Sequence, residues 1–336
     1  MADIAVIGAG SYGTCLAILA ANAGHDVTLW AREQEVADEL DKSRTNAKYL
    51  PGYTLPARVK VTHDLPRALA NKEIVLGVTP SHAIASVFEP AAQHLDPDTI
   101  IVNASKGLEE NTLDTIDRIY TRIFPARIAQ RATFLSGPTF ATEIAAGMPA
   151  AIVLAGRDAD TCAHAQRTLS NDRFRIYTTD DVTGVLLGGA LKNVIAIAAG
   201  VSDGLAFGSN ARAALITRGL AEITRVGVAM GAHAQTFAGL SGMGDLVLTC
   251  SGDTSRNRRV GLGLGQGKSM DEIQRDMKGM VAEGVKTTKV AHELAAKVGV
   301  PAPITEVMFH IIHRGAPARD TMTRLMSRAL RTERDA

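Results

Sequence analysis

Residues 4–7 form a short apolar run that leads straight into Gly8-Ala9-Gly10-Ser11-Tyr12-Gly13, and an alanine-rich stretch of helical character follows to about residue 23. Glycines at this spacing carry meaning when a strand precedes them and a helix follows, and both are present here. Gly8 permits the tight turn, Gly10 lets an anion approach the backbone, and Gly13 lets the helix pack close to the strand. The amides at the helix start, around Ser11 and Tyr12, face the end of the helix dipole that attracts negative charge. The segment therefore predicts the first βα unit of a doubly wound α/β sheet with a dinucleotide pyrophosphate over the turn. A glycine turn without a ligand is the alternative, and the flanking strand and helix weigh against it.

Residues 27–30 read as the second strand. An acid just beyond this strand suits the free ribose hydroxyl of NAD, and a cation suits the extra phosphate of NADP. The chain places Arg32 there, so acceptance of NADPH is expected, with Glu33 as the neighbour that opposes it. Strand-like runs over 74–78, 99–103 and 133–135 each end in a turn rich in Pro, Gly or Ser, the edge at which an open parallel sheet forms its ligand crevice. Leu113, Ile116, Ile119, Tyr120 and Ile123 recur at helical spacing. His82, in one of the turns, reads as a local hydrogen bonder. Lys106 either projects toward an anion or is a solvated loop lysine. Runs over 150–155 and 174–178, with a helical stretch over 158–169 between them, look like two more strands. Strand signals stop near residue 180, which divides the chain into an expected nucleotide-binding domain over 1–179 and a helical substrate domain over 180–336.

The second half opens on residues 185–201, where Lys192 is the one ionisable side chain in an otherwise apolar helix. A helix apolar all round is buried. A lysine there must find a partner or give up its charge, because desolvation lowers its pKa, and either condition suits a proton carrier. The competing possibility is a lysine whose stem lies on apolar surface with its head in water. A loop is expected over 203–208 and a long helix over 211–230, with Ala214, Leu215, Leu220, Ile223 and Val226 as its buried stripe and Glu222 on the polar remainder. Residues 239–245 are too glycine-rich for a helix interior and read as a shaped loop ending on Asp245, which would either pair with a buried lysine or cap the next helix. Ser255-Arg256-Asn257-Arg258-Arg259 suits a phosphate, since guanidinium forks match its oxygens. His310 and His313 are three apart but lack a third ligand, so no metal site is expected.

Length and composition bound the rest. A chain of 336 residues favours two domains, and 46% apolar with 21% charged residues is globular. A net charge of +1 argues against nucleic acid or an anionic membrane surface as a general partner. No export signal is visible after Met1, and the longest apolar runs contain Gly, Lys or Asn and fall short of a bilayer span, so a cytoplasmic protein without stable membrane insertion is expected. Cys15, Cys162 and Cys250 share no metal-binding or disulfide spacing.

Taken in order, GAGSYGT, NASKGLE, SGPTFATE, LKNVIAIAAG, TRGLAEITR, GLSGMGDL and SRNRR resemble the NAD(P)-dependent sn-glycerol-3-phosphate dehydrogenases of the bacterial type over nearly the whole chain. The resemblance implies a Rossmann domain joined to an all-α domain of the 6-phosphogluconate dehydrogenase kind. It implies NADPH- or NADH-dependent, reversible reduction of dihydroxyacetone phosphate to sn-glycerol 3-phosphate for phospholipid synthesis, in a homodimer. It assigns Lys192 and Asp245 to catalysis, and Lys106, Gly137, Thr139, Lys192, Asp245, Ser255, Arg256 and Asn257 to the substrate. Gly8, Gly10, Ser11, Tyr12, Gly13, Arg32, Ala141, Val281 and Glu283 fall to the cofactor, with Lys106 and Arg256 touching both. Tyr12 stands where the family more often has Trp. A β-hydroxyacid dehydrogenase would share the glycine turn and a lysine but need not carry Ser255-Arg256-Asn257. A nucleotide sensor without catalysis would have no use for a buried lysine and its carboxylate.

Overall fold

In the computed structural model, residues 1–277, 282–330 and 332–333 are described. The strands found among them are β1 (Asp3–Ile7), β2 (Asp26–Trp30), β3 (Thr45–Asn46), β4 (Leu50–Thr54), β5 (Val59–Thr62), β6 (Ile74–Gly77), β7 (Ile100–Asn103), β8 (Thr133–Ser136), β9 (Ala150–Gly156) and β10 (Phe174–Thr179). β3 and β4 pair as a small hairpin, and the rest form one sheet in the order β10-β9-β8-β7-β6-β1-β2-β5. β1 lies between β2 and β6, with Val6 level with Leu29 and Leu76. Its apolar residues have no polar alternation because both faces are covered: Ile4, Ala5, Val6 and Ile7 are all fully buried.

The strands from β5 across to β8 are parallel, as the strand and turn pattern leads one to expect. β9 runs antiparallel to β8, and β10 follows β9. The doubly wound sheet is thus parallel as far as β8 and changes direction at that edge. Direction depends on where the connection returns, and residues 150–155 read the same way whichever direction they run.

The chain divides into two compact units, Met1–Lys106 with Thr115–Val182 and Gly107–Asp114 with Thr183–Ala336. A single cut at 179/180 was expected, but the segment 107–114 groups with the helical unit. Leu108, 4% exposed, sits in that unit's apolar core and Leu113 packs against the same core. Leu113 has φ +62 and is outside the helix its spacing suggested, which spans Ile116–Ile123.

The helical unit is built around the helix Val182–Gly204. At 23 residues it is long and apolar enough to cross a bilayer by length and composition, longer than the sequence suggested, but its most apolar window is wholly buried within the protein. The expected loop over 203–208 shrinks to three residues, because the next helix starts at Gly208 and runs to Ala229. Ala206 makes this corner at φ +58. On that helix the buried residues are Gly219, Glu222, Ile223, Val226 and Gly227, so Ala214 leaves the predicted stripe and Glu222 enters it. Glu222 is buried because it caps another helix, accepting from Ile304 N, Thr305 N and Thr305 Oγ1 at 2.8, 2.9 and 2.6 Å. Residues 240–244, expected as loop, form one π-helical turn, Leu240–Gly244, continuing into the helix Asp245–Ser251. Gly242 makes the wide turn possible, since a Cβ there would stand 2.0 Å from Phe237 O.

Candidate active site

The three glycines of the first turn have different reasons for being glycine. Gly8 has φ +122, and a Cβ on it would stand 2.7 Å from Val78 O. A Cβ on Gly13 would stand 1.8 Å from Gly8 O, so the helix Ser11–Asn22 can lie against the turn only without one. Gly10 has ordinary extended backbone (φ −74, ψ −175), and apart from its chain neighbours no described atom comes within 4 Å of a Cβ built there. Nothing in the fold of the turn demands glycine at position 10. What its absent side chain leaves open is room over a helix N-terminus whose cap supplies no side-chain acceptor. A pyrophosphate fits that opening.

Asn46, which the sequence did not single out, holds the turn from behind. Its Nδ2 donates to Ala9 O at 2.9 Å and to Thr14 Oγ1 at 2.7 Å, and the residue is 3% exposed. A buried amide 37 positions from its acceptor leaves no local signal. Tyr12 is half-buried against the apolar core of the sheet unit, and Ser11 opens the helix beside it.

Arg32, beyond β2, is exposed and grips Glu33, with both Nε and Nη2 standing 2.9 Å from Glu33 Oε1. At the carboxyl edge of the sheet, Gly137 O accepts from Lys106 Nζ at 3.0 Å and from Thr139 Oγ1 at 3.3 Å, which brings those three predicted residues together. Gly137 has φ +141 and its Cβ position is closed by Ile152, so glycine is required there. Ala141 opens the short helix Ala141–Ala145 after the same loop. His82 is exposed in a single 3-10 turn.

In the helical unit, Lys192 is 6% exposed and its Nζ stands 2.8 Å from Asp245 Oδ1. The same Nζ donates to Thr249 Oγ1 at 2.7 Å, and that hydroxyl in turn donates to Asp245 O at 2.6 Å. Asp245 and Thr249 are four apart on the helix Asp245–Ser251 and so face one way. Asp245, 2% exposed, is the first residue of that helix and not its N-cap, which is Gly244. Asp245 and Thr249 both aim the ammonium, and removing the carboxylate would take the counter-charge from a buried cation, which is strongly destabilising. Burial pushes the adjacent Cys250 thiol up to about 12, with Lys192 opposing and Asp245 adding to the shift.

Residues 255–257 reach the level of this lysine through a backbone contact. The helix Arg256–Gly265 runs parallel to Val182–Gly204 with glycines at the crossing. A Cβ on Gly261 would be 2.0 Å from Ile197 O, one on Gly200 2.1 Å from Arg258 O, and one on Gly265 2.4 Å from Val201 O. In this register Asn257 Nδ2 donates to Asn193 Oδ1 at 2.8 Å, next to Lys192 in the chain. Ser255 is the N-cap, its Oγ accepting from Arg258 N at 3.3 Å, and Arg256 begins the helix. The group offers what an anion needs: a helix N-terminus, an amide and a guanidinium.

One part of the arginine cluster is corrected. Arg258 was grouped with Arg256 for a phosphate, but its Nε and Nη2 lie 2.9 and 2.8 Å from Asp203 Oδ2 and its Nη1 lies 2.9 Å from Asp253. Its donors brace the helix, while Arg259 is exposed. Glu283 is the first residue of the helix Glu283–Lys297, whereas Val281 lies outside the described residues. Among the described residues no cluster of His, Cys, Asp and Glu could hold a metal ion, and His313 Nε2 is 3.0 Å from Val285 O.

A mostly parallel sheet with an open glycine turn, together with a helical unit that buries a lysine against a carboxylate, defines the class of two-unit nucleotide-dependent oxidoreductases. Comparison with known proteins narrows the class. The model of the NAD-dependent glycerol-3-phosphate dehydrogenase N-terminus matches residues 3–162 and that of the C-terminus residues 181–323. A glycerol-3-phosphate dehydrogenase [NAD(P)+] of Syntrophotalea carbinolica is 51% identical, over 99% of this chain and all of that one. One from Citrifermentans bemidjiense is 52% identical over 98% of each. The crystal structure of glycerol-3-phosphate dehydrogenase from Coxiella burnetii, 39% identical, covers 97% of this chain and 99% of its own with a TM-score of 0.93. The chain belongs to the NAD-dependent glycerol-3-phosphate dehydrogenase family.

Proposed function

We propose that this protein reduces dihydroxyacetone phosphate to sn-glycerol 3-phosphate with NADPH or NADH, reversibly, and so supplies the glycerol backbone of phospholipids. The observation that carries the chemistry is the buried cluster of Lys192, Asp245 and Thr249, an ammonium aimed by two acceptors inside an apolar core. When bound, the nicotinamide nucleotide supplies the hydride for the ketone carbon. Lys192 donates a proton to the oxygen of that carbon as negative charge develops there, and it recovers the proton in the oxidative direction. Asp245 and Thr249 keep its Nζ in one place and lower the cost of holding its charge away from water. Arg256, Asn257 and the helix N-terminus capped by Ser255 hold the phosphate. The parallel helix contact then sets the distance from phosphate to lysine. Lys106, Gly137 and Thr139 are further substrate residues. Ser11, Tyr12, Arg32, Ala141 and Glu283 serve the cofactor, as do the glycines of the turn. A homodimer acting in the cytoplasm completes the proposal, with sedimentation equilibrium as the check on its size.

The test is loss of NADPH absorbance on adding dihydroxyacetone phosphate, repeated with a non-phosphorylated ketoacid. A faster rate with the ketoacid would move the chain to the β-hydroxyacid dehydrogenase chemistry, and no turnover with either would leave a nucleotide sensor. Lys192→Ala should lower kcat by about two to four orders of magnitude. Full activity in that variant would remove Lys192 from the reaction.

A further inference from the structure

We propose that Gly284 is a positioning residue for the phosphate end of the substrate, acting through Asn257; this rests on the assignment of Asn257 to the phosphate. The Asn257 amide is gripped from two sides. Its Oδ1 accepts from Gly284 N at 2.9 Å, and its Nδ2 donates to Asn193 Oδ1 at 2.8 Å. Turning the amide over would set its NH2 against the Gly284 N–H, a repulsion in place of a bond that no turn of the Asn193 amide could relieve. With Asn257 8% exposed, neither bond is readily replaced by water. The amide thus has one orientation, and the second Nδ2 hydrogen points in one direction.

Only glycine allows this at position 284. A Cβ there would stand 2.7 Å from Asn257 Oδ1, 2.8 Å from Asn193 O and 2.9 Å from Ile197 Cδ1. Asn193 O belongs to the backbone of the buried helix Val182–Gly204. The side chains of Asn257 and Ile197 can give way, but Asn193 O cannot, so a methyl would push Asn257 aside and move the start of the helix Glu283–Lys297 back, drawing Gly284 N away from Asn257 Oδ1. Gly284 is the second residue of its helix and is not among the residues with positive φ. Alanine there would be favoured by helix propensity and meets no backbone strain, so its effect is confined to what its methyl touches. Asn257 also serves as a cap that the helix Glu283–Lys297 does not supply for itself, since Ala282 at its N-cap offers no side-chain acceptor.

The test is a double-mutant cycle of Gly284→Ala and Asn257→Ala, read as kcat and KM for dihydroxyacetone phosphate. Gly284→Ala should raise that KM about tenfold, the worth of one well-placed hydrogen bond, with kcat nearly unchanged. In the Asn257→Ala background, where the side chain it displaces is gone, it should raise KM little further. An equal factor in both backgrounds would overturn the positioning role, as would a fall in kcat without a rise in KM. An Asn257→Ala variant with wild-type KM would instead overturn the phosphate assignment, and this inference with it. Hydrogen exchange at the Gly284 amide of the wild-type protein gives a second reading that needs no variant at 284. Glycerol 3-phosphate should slow that exchange severalfold by tightening Asn257, and an unaltered exchange rate at saturating ligand counts against the proposal.

Discussion

Gly10 and Gly13 look alike in the sequence but fail differently when given a side chain. A methyl on Gly13 would meet Gly8 O at 1.8 Å, so that position guards the fold. A methyl on Gly10 would meet no described atom of the chain beyond its neighbours within 4 Å, so the fold itself leaves that position open and the proposed pyrophosphate gives it a reason to be glycine. Gly10→Ala should therefore leave the melting temperature within about 2 °C, the scale of a few tenths of a kcal/mol, while weakening NADPH binding at least tenfold by isothermal titration. Equal binding by variant and wild type would show that the pyrophosphate does not lie over Gly10. Arg256 and Arg258 are likewise alike in the sequence, both charged, forked side chains two residues apart. Charge spacing cannot separate them; the separation comes from Asp203, which lies 55 positions from Arg258 in the chain and takes its donors.

Among the elements, the helix Pro303–Arg314 owes its start to another helix. Its own N-cap, Ala302, makes no side-chain bond, and Glu222 supplies three acceptances instead. Burial raises the Glu222 carboxyl, more than its bonds to Thr305 and Ile304 lower it. The sign follows from proton counts: the folded state holds this proton to higher pH than the unfolded chain does, so the contribution is fully present below the unfolded value of about 4.3 and is lost as pH rises through the raised folded value. Glu222→Gln cannot titrate. The difference in unfolding free energy, wild type minus variant, should fall as pH rises above about 4.3 in urea titrations. A difference that is flat or rises would show that the carboxyl is not held up by burial. Sequence periodicity put Glu222 on the polar face because periodicity records where a side chain points, and it carries no information about a helix start waiting 82 residues away.

For the whole molecule, nucleotide binding is linked to stability. A ligand that binds only the folded state adds about 2.7 kcal/mol at a concentration one hundred times its Kd. NADPH should therefore raise the melting temperature by about 5–10 °C in calorimetry, and Gly10→Ala should cancel most of that rise at the same concentration. Several features were legible in the chain itself. The strand, glycine turn and helix at the start were, as were the apolar helix around Lys192 and the end of strand signals near residue 180. Each follows from φ/ψ preferences or from the 2.0 and 3.6 residue periods, which act over a few neighbours. Packing decided the rest. It reversed β9 and β10, moved Gly107–Asp114 into the helical unit, chose Asp245 and Thr249 as the partners of Lys192, and set Asn257 beside Asn193 through a run of bare glycines. Those outcomes depend on which surfaces meet at separations of tens of residues. Hydrogen bonds and van der Waals contacts are settled there, by distances of a few tenths of an ångström that no local pattern encodes.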